Sequence, residues 1–337
     1  MAKKVRIGIL GCANIAAKYA IKAFNSIANA EVTAIASRDL EKAKDWAGRF
    51  GIKKGTDYES LINDSDVDAV YIPLPIGLHK EWILRAAAAG KHAICEKSLA
   101  ENLQAAEAIV TSCKKNGVVL YENFMCDFHP QHQKVRSLIQ DGAIGAPFMF
   151  QGYFGFPLTD KDNFRFSQEL GGGALNDVGA YTIFMARKIM GSEPTSVTAA
   201  LFYDEEKVDI KGVAILEFPN KMAAHLSFSF DAIYQNNYSV WGSKGLIKIE
   251  RAYSIPPDMK PVIKLITNQN LSETITEIDA PAANHFELIF KDFCDTILNK
   301  KAGKINKIYS NIMNQSKAME AIRISAKEGR KVKIAGI

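Results

Sequence analysis

The 337-residue sequence predicts a two-domain α/β protein. The N-terminal domain has a parallel, doubly wound sheet, and the C-terminal α/β domain has a large, open, mainly antiparallel sheet. Three observations predict this. The first part of the chain alternates short, nearly continuous apolar runs with longer amphipathic segments, as strands buried on both faces between helices require. Beyond about residue 146 strand-like runs follow one another, separated by turn residues. The chain is also too long for one compact core.

The elements follow in order. VRIGIL (5–10) reads as a strand and 14–29 as a helix; VTAIAS (32–37) is a strand and 40–50 a helix. VDAVYIPL (67–74), a helix over 78–89, HAIC (92–95), a helix over 102–115 and VVLYE (118–122) complete the alternation. The second half offers PFMFQGYFGF, SVTAALFY, GVAILEF, MAAHLSFSF, YSVWG and GLIKIE as strands. A helix over 176–190 interrupts them after Gly171, Gly172 and Gly173, and further helices cover 284–299 and 309–328. The expected division is residues 1–122, then residues 123–304, with residues 305–337 packing back on the first domain.

Composition excludes several classes. At 47% hydrophobic and 23% charged the chain is an ordinary globular one, and no apolar run approaches the ~20 residues of a membrane span. MAKKVRIGIL runs straight into a strand, unlike a signal peptide. Cys12, Cys95, Cys113, Cys126 and Cys294 lack CxxC spacing and read as reduced thiols, so a cytoplasmic location is expected. A net charge of +5 without a basic-aromatic patch favours a small anionic ligand over nucleic acid. No His, Cys, Asp and Glu set has ligand spacing, so no metal is expected. His129 and His132, flanking Pro130, read as a capped helix start, and Trp82 and Trp241 as packing residues.

The first strand meets its helix through Gly11-Cys12-Ala13-Asn14-Ile15-Ala16, the G-x-G-x-x-G position with alanine for the last two glycines. The first glycine makes the tight turn, and the helix start offers N–H groups to a pyrophosphate. This predicts a dinucleotide held by Gly11, Cys12, Ala13, Asn14 and Ile15. The second strand ends Ala36-Ser37-Arg38-Asp39. Ser37 can donate to a ribose 2′-phosphate, Arg38 can cover it and Lys42 can add charge, which favours NADP(H). Asp39 leaves NAD(H) open.

Ligands collect beyond the carboxyl ends of such strands. Leu74, Pro75 and His79 arrive there, as do Glu96, Lys97 and Asn123. Asp177 and Tyr181, spaced i, i+4, share one helix face behind the glycine triplet. A lysine, a phenol and a carboxylate suit carbonyl reduction: Tyr181 supplies the proton, Lys97 stabilises the developing alkoxide and Asp177 orients the substrate or the lysine.

GCANIA, ASRD, EKS and GGGALNDVGAY, in this order, resemble the Gfo/Idh/MocA oxidoreductases, and the resemblance covers essentially the whole chain. It implies an N-terminal Rossmann domain, a catalytic Lys97 with Glu96 as neighbouring contact, the helix aspartate at Asp177, the proton donor at Tyr181, the histidine at His79 and an arginine at Arg165 near cofactor or substrate. Where the family carries E-K-P this chain has Ser98, which leaves the geometry of the Lys97–Ser98 peptide open. VYIPLPIGLHKEWI, YENFMCDFHPQHQKV and YQNNYSVWGSKGLIKIERAYSIPPDMKPVI look like sugar-nucleotide 3-ketoreductases of deoxysugar pathways. That implies NADPH-dependent reduction of a dTDP-linked ketosugar, with Tyr234, Asn236, Asn237 and Tyr238 as substrate contacts. It also implies a homodimer or homotetramer through the C-terminal sheet. The alternative is an NADP-dependent dehydrogenase of a free aldose or a trans-dihydrodiol.

Overall fold

The computed structural model describes residues 3–205, 208–269, 272–300 and 302–337. The chain divides into two compact units, residues 1–125 with 286–313, and residues 126–285 with 314–337.

The first unit holds β1 (Val5–Leu10), β2 (Ala30–Ala36), β3 (Lys54–Thr56), β4 (Ala69–Ile72), β5 (His92–Cys95) and β6 (Leu120–Glu122). They form one sheet in the order β3-β2-β1-β4-β5-β6, with every pair parallel. The order reverses between β1 and β4, the switch point at which such sheets bind ligands. Strands β1, β4 and β5 are buried along nearly their whole length because helices cover both faces. The connecting helices are α1 (Ile21–Ser26), entered through a π turn at Ala16–Ala20, then α2 (Leu40–Phe50), α3 (Tyr58–Ile62), α4 (Ile76–Ala88) and α5 (Leu103–Lys115). Strand β3 and helix α3 escaped the sequence reading because Lys-Gly-Thr carries no apolar pattern. Backbone pairing with Ala34–Ala36 makes it a strand.

The second unit opens with α6 (Pro130–Gln140), capped by His129, whose Nδ1 accepts the Gln131 N–H. Its sheet contains β7 (Pro147–Gly155), β8 (Ser196–Tyr203), β9 (Asp209–Glu217), β10 (Ala223–Ser229), β11 (Gln235–Gly242), β12 (Gly245–Glu250), β13 (Ile263–Gln269), β14 (Ser272–Ile278) and β15 (Val332–Lys333). The order is β14-β13-β12-β11-β7-β10-β9-β8-β15, antiparallel except for the β7–β10 pair. Burial alternates along β9 and β10, so only one face is covered. Covering it is α7 (Ala180–Met190), which continues a π turn at Leu175–Gly179 and packs on β7 and β10.

The last helices are α8 (His285–Asn299) and α9 (Ala302–Glu328). The expectation for residues 305–337 needs correction. Residues 286–313 belong to the first unit, where Phe290 stacks on Phe24 at 3.9 Å and Tyr309 donates to the Val118 carbonyl. Residues 314–337 belong to the second. There Gln315 bonds Arg187, the Ser325 hydroxyl accepts the Ala199 N–H, and Val332 pairs with Val197 at the sheet edge. Sequence periodicity cannot show that one continuous helix serves two cores in turn.

Three buried histidines of the second unit make its stability pH-dependent. Burial holds His129 down at about 4, His285 at about 3 and His132 well below the ordinary range. His132 sits between the Tyr238 hydroxyl and the Ala252 carbonyl, both at 2.9 Å. His79 and His92 of the first unit are lowered too, again by burial first. A group with a depressed folded pKa contributes stability above its unfolded value, about 6.5, and loses it as pH falls towards 4. Glu96 and Asp209 are raised and oppose this, but the histidines outnumber them. We expect Tm to fall steadily from pH 7 to pH 4.5, on the order of 1–3 kcal/mol per histidine. A flat Tm over that range, followed by calorimetry, would contradict this.

Candidate active site

In the first unit the turn after β1 places Gly11 at φ +136°, and a Cβ there would lie 2.9 Å from Leu74 Cδ2. Only glycine suits both the dihedral and the close approach. A helix runs on from Asn14, so its first N–H groups lack intrahelical acceptors and face outward from the turn. Cys12 Sγ donates to the Ala36 carbonyl at 3.9 Å, tying this turn to the end of β2; burial pushes its thiol pKa up. At that end Ser37 Oγ accepts the Asp39 N–H at 3.1 Å. Asp39 caps α2, accepting from the N–H groups of Glu41 and Lys42. Arg38 is exposed beside them, and the Lys42 ammonium lies 5.9 Å from the Trp46 ring centroid.

The tip of β5 is built around Glu96. Its Oε1 accepts from the Tyr71 hydroxyl of β4 at 2.7 Å and from Asn123 Nδ2, just past β6, at 2.6 Å. Burial raises the Glu96 pKa, and the two hydrogen bonds counter the rise. Lys97 is half-buried, and the Lys97–Ser98 peptide is cis. Beyond it the Leu99 N–H donates to Glu122 Oε1 at 2.9 Å, and the Ser98 carbonyl lies 3.0 Å from His79 Nδ1. His79 Nε2 lies 2.7 Å from the Leu74 carbonyl. With burial holding the imidazole at about 4 it is neutral and donates to one of these carbonyls.

In the second unit the glycine triplet sets up the helix that carries the predicted acid. The Gly173 N–H donates to the Arg165 carbonyl and the Gly172 N–H to the Ser167 carbonyl, both at 2.9 Å. A Cβ on Gly172 would sit 2.4 Å from the Arg165 carbonyl oxygen. The Arg165 side chain then returns, and its Nε donates to Asp177 Oδ2 at 2.7 Å. The Asp177 charge is the first cause of the raised Arg165 pKa. Tyr181, one turn on, is 7% exposed, its ring edge-on to Phe154 at 5.4 Å and tilted to Tyr253 at 6.1 Å. Arg323 Nη2 donates to Asn176 Oδ1 at 2.6 Å, and Asn176 Nδ2 donates to the Gly171 carbonyl at 3.0 Å.

The carboxyl ends of the first sheet thus gather Gly11, Cys12, Ser37, Leu74, Pro75, Lys97 and Asn123, while Asp177, Tyr181 and Arg165 meet within the second unit. Several assignments change. Glu96, His79 and Asn123 are scaffold, because they are buried and bonded to neighbouring strands and loops. Arg165 is held on Asp177 within the second unit. Tyr238 is 1% exposed, bonded to His132 and stacked on Phe150, so it is core rather than a substrate contact. Asn236 is spent on the Tyr253 N–H and the Ser254 carbonyl. Tyr234 accepts from Arg251, and Asn237 donates to Gln235 along β11. Sequence reasoning missed Tyr71 and Glu122, a buried tyrosine and a strand-end acid with no motif of their own.

A dinucleotide fits the first set. The Gly11 turn takes φ +136° without a Cβ, and the helix start beyond it offers N–H groups that lack intrahelical acceptors.

The family model described as an oxidoreductase family with an NAD-binding Rossmann fold matches residues 5–124, and the GFO/IDH/MocA C-terminal domain model matches residues 132–248. The chain is 34% identical over 329 residues to the dTDP-3,4-didehydro-2,6-dideoxy-alpha-D-glucose 3-reductase of Actinomadura kijaniata, covering 97% of each. It is 38% identical over 267 residues to the reductase of the same name from Saccharopolyspora spinosa, covering 79% of this chain and 80% of that one. The solved structure of KijD10, a 3-ketoreductase from Actinomadura kijaniata in complex with NADP and TDP-benzene, matches with a TM-score of 0.91 at 33% identity, over 96% of this chain and 98% of its own. Two further structures of that reductase replace a lysine and a tyrosine separated by the same number of residues as Lys97 and Tyr181. Its sequence and its two-unit fold make this chain a member of the Gfo/Idh/MocA family of oxidoreductases.

Proposed function

We propose that the chain reduces the C-3 keto group of a dTDP-linked keto-deoxysugar with NADPH, in deoxysugar biosynthesis. The observation that carries the substrate class is that likeness to the Actinomadura 3-reductase extends over 97% of both chains, including the second unit where Asp177 and Tyr181 lie. A free-aldose or dihydrodiol dehydrogenase would use the same residues in the reverse direction.

The Gly11 turn and the helix start bind the pyrophosphate. Asp39 is committed to capping α2, so it does not compete for the ribose. Ser37 donates to the 2′-phosphate and Arg38 covers it, which favours NADPH over NADH. NADPH, when bound, supplies the hydride to the carbonyl carbon. Tyr181 delivers its phenolic proton to the oxygen, Lys97 stabilises the charge that develops there, and Asp177, fixed by Arg165, orients the sugar hydroxyls.

The open face of the second sheet carries Phe202, Val213, Ile215 and Trp241 at 40–54% exposure, which supports pairing with a second copy. Among the described residues no helix is long and apolar enough to cross a membrane, and all five cysteines are free, which supports a cytoplasmic enzyme.

Two outcomes are expected. In thermal shift, NADPH and dTDP each raise Tm, by ~2.7 kcal/mol of added stability at a hundred times Kd. Arg38→Ala weakens the NADPH shift and leaves that of NADH. If dTDP gives no shift while free xylose or glucose supports NADP reduction, the ketosugar assignment is replaced by the aldose one. In steady-state kinetics Lys97→Ala lowers kcat by about 10²–10³ and Tyr181→Phe by about 10²–10⁴, with the NADPH thermal shift retained in both. Wild-type turnover in either variant would remove that residue from the chemistry.

A further inference from the structure

Asp209, the first residue of β9, takes no part in the steps above, yet it meets the helix that carries Asp177 and Tyr181. It is 9% exposed, and its Oδ2 accepts the Leu175 N–H at 2.6 Å. Leu175 lies in the first turn of the continuous helical run 174–190. The other oxygen, Oδ1, lies against Gly173, where a Cβ would come within 2.4 Å of it and where φ is +111°. The third glycine therefore does two things: it takes a backbone conformation that glycine favours, and it leaves space for the carboxylate.

Charged and titratable groups face Asp209 from each element packed against it. From α9 comes Arg323, which bonds Asn176 at 2.6 Å and Glu320 at 3.1 Å. From the turn before β9 comes Asp204, paired with Lys161 at 3.9 Å. From β8 comes Tyr203, the ladder partner of Asp209. Burial is the first cause that lifts the Asp209 carboxyl to about 7; the Leu175 N–H and Arg323 pull it down, and Asp204 pushes it up.

We propose that Asp209 is a positioning residue whose ionised carboxylate holds the first turn of the Asp177–Tyr181 helix, and that protonation loosens this hold. An ionised acceptor makes a shorter and stronger bond to an N–H than a neutral one, and negative charge is favoured at a helix N-terminus. The ionised form does not serve the fold itself. With a folded pKa above the unfolded value, this group contributes stability below about 3.9, and that contribution is lost as pH rises through about 7. At pH 8 the chain therefore carries a buried charge that works against its stability at the point where the helix of the proposed acid begins. A neutral amide of the same shape removes that cost but holds the turn by a weaker bond.

The kinetic part rests on the ketoreductase reading; the exchange part does not. The test is Asp209→Asn, which keeps the shape and removes the charge. At pH 8 the variant is expected to have a higher Tm than wild type, amide hydrogen exchange about tenfold faster over residues 175–181, and a kcat about three- to tenfold lower with KM for NADPH unchanged. At pH 6, where wild-type Asp209 is largely protonated, the kcat difference closes to within about twofold. In wild type alone, exchange over 175–181, corrected for intrinsic rates, is slower at pH 8 than at pH 6. Unchanged exchange in the variant, or a kcat ratio constant from pH 6 to 8, overturns the proposal. So does a Tm that falls together with kcat at both pH values, which would mark Asp209 as a plain structural cap. If wild type turns over no dTDP-ketosugar, the functional reading fails and the exchange result alone decides the role of Asp209.

Discussion

The carboxylate of Glu96 joins the ends of three parallel strands, and the placement of Lys97 depends on that joint. Burial disfavours the charge, yet Tyr71 from β4 and Asn123 from beyond β6 both donate to the same oxygen. Two donors on one acceptor stabilise the ionised form and fix the spacing of β4, β5 and β6 at their carboxyl ends. The next residues hang from neighbouring elements by their backbone: the Ser98 carbonyl faces His79, and the Leu99 N–H reaches Glu122. The lysine is therefore aimed from both flanks by atoms that belong to the sheet and to α4, and no bound molecule is needed to set its backbone.

The second unit solves the same problem with different parts. Three glycines in a row would make a loose entry to a helix, but each is committed. Gly171 takes φ +73°, Gly172 lies against the Arg165 carbonyl, and Gly173 lies against Asp209. The tight turn brings the Arg165 backbone beside the helix start and lets its guanidinium reach Asp177. Asn176 and Arg323 tie the same turn to α9. Asp177 and Tyr181 are thus set by a backbone crossing that only small residues permit, and the tyrosine ring is then gripped by Phe154 and Tyr253.

Much of this was legible in the sequence. Alternating apolar runs and amphipathic segments gave the parallel sheet, because strands buried on both faces leave an unmistakable pattern, and the Gly11 turn lies where that pattern places it. Lys97, Asp177 and Tyr181 drew attention because their residue types suit one chemistry, and the structure sets Lys97 at the tip of β5 and Asp177 and Tyr181 one turn apart on one helix. What failed depended on direction and partner. Tyr238 and Asn236 stand in a polar-looking strand, and nothing local shows that one points into the core at His132 while the other caps the Tyr253 backbone. Glu96 stands beside Lys97 and reads as part of the contact surface there. Its actual partners, Tyr71 and Asn123, stand 25 and 27 residues away in sequence. Side chains that hold a site together are the least visible, since each contact spans strands whose register no single segment encodes.

The two units also differ in what they leave free to vary. In the first, the dinucleotide contacts are largely backbone atoms at the turn after β1, so the parallel sheet itself supplies the site. On the proposed reading, specificity there is confined to the few side chains after β2: with Asp39 turned to cap α2, Ser37 and Arg38 are left for the ribose. In the second unit recognition rests on side chains, and those of the helix are fixed in place by Arg165, Asn176 and the glycine turn. A change in the sugar accepted can therefore arise in the second unit without disturbing cofactor geometry. A change in cofactor needs only the Ser37–Asp39 turn. On the proposed reading, this separation lets one scaffold keep Lys97 and Tyr181 for hydride chemistry while the molecule being reduced changes.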